Sequence, residues 1–163
     1  MAELLKKQRL LIATGFLIVA VGAGSEFLVG SVGAPGIYGW SYEIFGTAYT
    51  IGYALLAWAT WALFKWIEGL PTPGAGLTKA LKLFGVANLV FGLGLVSVTY
   101  YWAYEAISHL PYVGRAEQII PFTGGLQLLG FCLVSVGFWS AASKLQTGAL
   151  KDTTEQADIG TYV

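Results

Sequence analysis

Tyr101, Glu105 and His109 stand four residues apart, a spacing that sets all three along one line of a helix. A carboxylate beside an imidazole on such a line can take up and pass on protons near neutral pH, the chemistry that proton-coupled quinol oxidation needs. Glu26, Glu43, Arg115 and Glu117 fall on the same side of the chain's layout as this trio. Glu26 is the most informative of them. An ionisable side chain inside an apolar span is costly and is read as functional, with a named partner, here Arg115 or His109. Interleaved with these residues are Tyr38, Trp40, Tyr42, Tyr49, Tyr53, Tyr100, Trp102, Tyr104 and Tyr112. The same positions therefore also fit a simpler reading, an aromatic belt at headgroup level with carboxylates just beyond it. The two readings separate at Glu26: if it only reaches the headgroups, Gln in its place leaves assembly and activity unchanged.

Other chemistries are excluded by counting. The chain holds one His, one Cys and one Met, so a bis-His haem or a two-cysteine redox pair cannot be built within one copy. Cys132 falls in an apolar stretch, where a lone thiol behaves as a small hydrophobe. There is no phosphate-binding lysine loop, and the G-x-G matches at Gly22 to Gly24 and Gly92 to Gly94 lie inside apolar runs, where glycine serves packing. No metal site and no cofactor of its own is expected; a quinone or a bound lipid remains compatible. Nine Lys and Arg balance nine Asp and Glu, which leaves no electrostatic footprint for nucleic acid.

The elements that must position these residues follow from composition. Charged residues make up 11% of 163 and hydrophobic residues 56%, against roughly 25% charged for soluble domains, so a soluble single domain is excluded. About 20 apolar residues at 1.5 Å each cross a hydrocarbon core of roughly 30 Å. Four stretches qualify: 10–30, broken only by Glu26; 44–64, free of charge; 83–104, also uncharged and extended to about 107; and 118–143. Each must be helical, because a lone strand would leave its backbone unsatisfied in lipid. The expected fold is an all-α, four-span membrane bundle occupying 1–145, with 146–163 as a polar, mobile cytoplasmic tail. The connections are dense in helix breakers, as in GLPTPGAG over 69–76.

Lys6, Lys7, Arg9, Lys65, Lys79, Lys82, Lys144 and Lys151 fall on one side of this layout and Arg115 alone on the other. That bias places both termini in the cytoplasm and the protein in the cell membrane, multi-pass. The stretch 6–24 also has the make-up of a signal peptide, with AVGAGS resembling a cleavage site; the reading adopted is a retained first span.

Small residues must drive association where lipid offers no hydrophobic gain. Gly15 and Gly22, Gly85 and Gly92, and Gly130 and Gly137 are each seven apart, which keeps both members of a pair on one seam. The second span lacks such a pair and offers Gly46, Gly52, Ala54 and Ala57 instead. Asn88 and Gln127 lie deeper in the spans, as amides expected to bond a neighbouring helix. A shift of 70 residues superposes Gly15, Gly22 and Gly24 on Gly85, Gly92 and Gly94, a faint parallel repeat of two hairpins.

The basic start, the Gly-rich first helix and the four-span layout resemble the DoxX/DoxD group of membrane proteins. That resemblance covers the span pattern and implies a link to quinone-dependent oxidation. The leading expectation from the residues themselves is a small accessory or structural subunit of a larger, respiratory-type membrane complex, partnered by other integral-membrane subunits, by lipids or by copies of itself. Two alternatives stay open: a quinone-linked oxidoreductase component using Glu26, Glu105 and His109, and a small oligomeric transporter or channel, which is weakened by the lack of buried charges along any span.

Overall fold

The computed structural model describes residues 2–33, 37–70, 74–108 and 116–159, and the side chains of 5–25, 44, 46–70, 74–98, 101 and 121–147. It is all-helical: α1 (Ala2–Gly33), α2 (Ile37–Glu68), α3 (Ala75–Ser108) and α4 (Ala116–Ile159). Three stretches are long and apolar enough to cross a membrane: Leu5–Ser25 in α1, Ala75–Val98 in α3 and Pro121–Thr147 in α4. Among the described residues α2 is not one of them. It has no charge between Ile44 and Phe64, but Tyr49, Thr50, Tyr53, Trp58, Thr60 and Trp61 stand where the other helices carry more aliphatic side chains, and amphipathic rings and hydroxyls lower its apolar character.

Helix ends follow local chemistry. α2 closes with the N–H groups of Gly69 and Leu70 donating to the Trp66 and Ile67 carbonyls, both at 3.1 Å, in a tightened last turn. Pro121 sits early in α4, where its missing N–H removes a single backbone bond. The polar segment after Lys144 does not leave the helix: α4 continues to Ile159. The tail expected as a mobile extension is thus helical over most of its length, because 145–158 holds Leu, Gln, Ala, Lys and Glu and no proline.

The helices do not close into a symmetric ring. α1 packs closely against α2 and α4, and α4 also packs against α3, giving the lateral order α2, α1, α4, α3. The buried face of α4 reads Gln127, Phe131, Val134, Phe138, Ala141, Leu145, alternating four and three residues, the period that holds one seam against a partner helix. α2 repeats it with Tyr53, Ala57, Thr60, Phe64 and Ile67.

Glycine sets the spacing. A Cβ on Gly22 would stand 2.8 Å from the Gln127 side chain, and one on Gly85 2.6 Å from the Trp139 ring. Gly92 leaves room for the Phe131 ring and Gly137 for Ile12. Gly15 and Gly130 face one another directly. All six therefore lie at the α1–α4 or α3–α4 contact. In α2, Gly46 and Ala57 are buried, whereas Ala54 is exposed and a Cβ on Gly52 would meet nothing within 4 Å. α2 and α3 do not pack backbone to backbone, and the second helix has no glycine pair that would let them.

Candidate functional site

Where α2 and α3 stand apart, a groove of about 360 Å³ opens between them. Its floor is Phe131 and Phe138 of α4, one heptad apart. Each floor ring is flanked from both sides. Tyr53 of α2 meets Phe131 edge-on at 5.6 Å and Phe91 of α3 meets it edge-on at 6.3 Å. Phe64 of α2 and Phe84 of α3 flank Phe138 at 6.1 and 6.2 Å. Such edge-to-face and tilted arrangements suit the ring quadrupoles. Leu56, Thr60 and Leu63 complete the α2 wall, Ala87 and Asn88 the α3 wall, and Phe16 of α1 closes one end. Leu56, Leu63, Phe84 and Phe91 are also exposed, so the groove is open along its side.

Besides the Tyr53 phenol, two polar side chains, Asn88 and Thr60, interrupt this apolar lining. Asn88 donates through Nδ2 to the Phe131 carbonyl and to Ser135 Oγ, both at 3.1 Å, tying α3 to α4. The Ser135 hydroxyl in turn donates to the same carbonyl at 2.8 Å. Thr60 is 7% exposed on the opposite wall. Gln127 is buried against Gly22 at the α1–α4 contact, away from the groove.

No protein-family model, curated protein or solved structure matches the chain. The resemblance to the DoxX/DoxD group thus extends no further than the span pattern, and function must be argued from the geometry alone.

At the basic end of the helices lies a constellation that sequence reasoning passed over. Arg9 Nη1 donates to Glu68 Oε2 at 3.0 Å, with the two side chains 11% and 13% exposed. The Arg9 guanidinium also stands 4.2 Å from the centre of the Trp61 ring, a cation–π contact. Among the described residues, Arg9 Nε and Glu68 Oε1 are buried without a hydrogen-bond partner. In the sequence Arg9 stands out only as a marker of sidedness, and Glu68 does not stand out. The signal was present: in an antiparallel hairpin, the start of the first span and the end of the second lie at one level. Beside this pair, Gln8 donates to Ser140 Oγ at 3.1 Å and Lys82 to Gln146 Oε1 at 3.2 Å, linking α1 and α3 to α4.

The outer-side residues are less completely placed. Tyr101 lies on α3 and is 62% exposed. Glu26, Glu43 and Glu105 fall on α1, α2 and α3, but their side chains lie outside the described set, and His109 and Arg115 lie outside the described residues altogether. α3 remains helical through Ser108, which keeps positions 101 and 105 on one helical line.

Proposed function

We propose that this chain is a four-span protein of the cell membrane, with both termini cytoplasmic, that serves as a small non-catalytic subunit of a larger, respiratory-type membrane assembly. The observation that carries the reading is the uneven burial of its helices. Half of the α4 span is buried but only 17% of the α3 span. α3 is held closely by α4 alone, while Leu83, Val86, Val90, Leu93 and Val98 are exposed. On the same helix a Cβ at Gly94 would meet nothing within 4 Å, which leaves the kind of small-residue approach that helices use to associate in lipid. A neighbouring subunit would cover what this chain leaves bare.

Support for a crossing α2 comes from its partner. α2 runs antiparallel beside α1 along the apolar length of that helix, from Thr50 near Ala20, through Tyr53 against Phe16, to Glu68 on Arg9. Wherever α1 crosses, α2 accompanies it. The direct test of the function is purification of the full chain from its native membrane in mild detergent. Stable co-purification with other integral-membrane subunits is expected, and a monomer without partners overturns the reading.

A second reading, quinol handling at the outer face, is favoured by the continuity of α3 through Ser108, which aligns Tyr101 with Glu105. Loss of quinone binding in Glu105→Gln and His109→Ala, with assembly intact, would favour it over the first.

A further inference from the structure

We infer that the groove between α2 and α3 is a binding site for a lipid-soluble molecule with a flat aromatic ring and one hydroxyl group, a phenolic lipid that enters sideways from the bilayer. Its volume, about 360 Å³, lies within the roughly 300–1,000 Å³ usual for ligand pockets. The rings of Phe131 and Phe138 form a floor with aromatic flanks on both sides, a lining that favours a planar ring over a flexible chain.

The polar atoms specify the rest. Thr60 is more than nine-tenths buried and lines the groove, yet among the described residues its hydroxyl makes no hydrogen bond. Asn88, on the facing wall, spends its amide N–H groups on Phe131 and Ser135, and its Oδ1 has no partner among the described residues. Thr60 lies eight residues before Glu68 and Asn88 six after Lys82, which puts them about 12 Å and about 9 Å from the basic end. Where the hydrocarbon core surrounds the groove, an unsatisfied polar group on its wall is costly. One ligand hydroxyl satisfies both walls, donating to Asn88 Oδ1 and accepting from the Thr60 hydroxyl. A ketone or ester would leave Asn88 Oδ1 unpaired, and an acyl chain would leave both unpaired. The site lies toward the basic end of the helices and rests on the reading that α2 crosses with α1, but not on assembly with other subunits.

The test compares 2-naphthol with 2-methylnaphthalene, similar in shape but lacking the hydroxyl, using the full chain in nanodiscs of saturated phosphatidylcholine. Uptake is measured above that of empty nanodiscs, with affinities referred to the probe concentration in the lipid. For the wild type, 2-naphthol is expected to bind about tenfold more tightly, the effect of one or two buried hydrogen bonds. Thr60→Val keeps the shape of the wall and should bring the two affinities within about twofold. Ala87→Phe should fill the groove and abolish saturable uptake of both probes, with an unchanged Tm as the check on folding. Equal binding of the two probes by the wild type would show that the walls do not read the hydroxyl and overturn the assignment. So would absence of saturable uptake, a preference that survives Thr60→Val, or binding that survives Ala87→Phe in a folded protein.

Discussion

Gly15 and Gly130 meet backbone to backbone. A Cβ on Gly15 would stand 2.8 Å from the Gly130 carbonyl oxygen, and one on Gly130 would stand 2.6 Å from that of Gly15. Neither clash involves a side chain that could turn away, so relief requires the helices to separate. Gly130→Ala is expected to lower stability by about 1–3 kcal/mol, as overpacking does, and to lower the Tm in detergent. Gly94→Ala, where a Cβ has open space, should be neutral or stabilising by up to about 1 kcal/mol. Equal effects at the two positions would contradict the α1–α4 contact.

The Arg9–Glu68 pair is nearly buried and incompletely satisfied, since Arg9 Nε and Glu68 Oε1 have no partner among the described residues. Removing one member strands the other charge at a cost of about 3–5 kcal/mol, whereas replacing both with apolar residues of similar size avoids the desolvation penalty altogether. Thermal unfolding of Arg9→Met, Glu68→Leu and the double variant should therefore rank the double variant closest to wild type. If the double variant is the least stable, the pair is a net contributor and this account of it is wrong.

Whether α2 crosses decides on which side the α2–α3 connection lies. In a Cys132→Ala background, a cysteine placed at Gly74 should escape a membrane-impermeant maleimide applied to intact cells and react once the cells are opened. Labelling in intact cells would show that α2 does not cross or that the N-terminus is not cytoplasmic, and either result overturns the proposed topology.

Asn88 and Ser135 share the Phe131 carbonyl and one bond between themselves. Amide and hydroxyl contacts between membrane helices couple by about 0.6 kcal/mol on average. A double-mutant cycle of Asn88→Ala and Ser135→Ala, measured by unfolding in bilayer discs, should give a coupling of that order. A coupling of zero would mean that the bond does not form in lipid.

Much of this architecture was legible in the chain itself. The scarcity of charge dictates a membrane solvent, in which backbone groups must pair within their own segment, so the helices and their approximate limits follow from composition. The heptad-spaced glycines could be read as well, because close approach in lipid has few other means. What could not be read was which helix each glycine faces. That depends on long-range packing: α4 draws in both α1 and α3, and α2, lacking a glycine pair, stays clear of α3 and opens a groove. The Arg9–Glu68 pair, and the placing of Thr60 and Asn88 in the lining of one groove, bring together residues 59 and 28 apart in the chain. No local spacing rule connects them. Sequence alone determined that the chain is helical and offered four stretches as spans, three of which are long and apolar enough in the structure to cross a membrane; only the tertiary structure decided which polar groups meet, because helix order and separation are set by side-chain volume at contacts between distant segments.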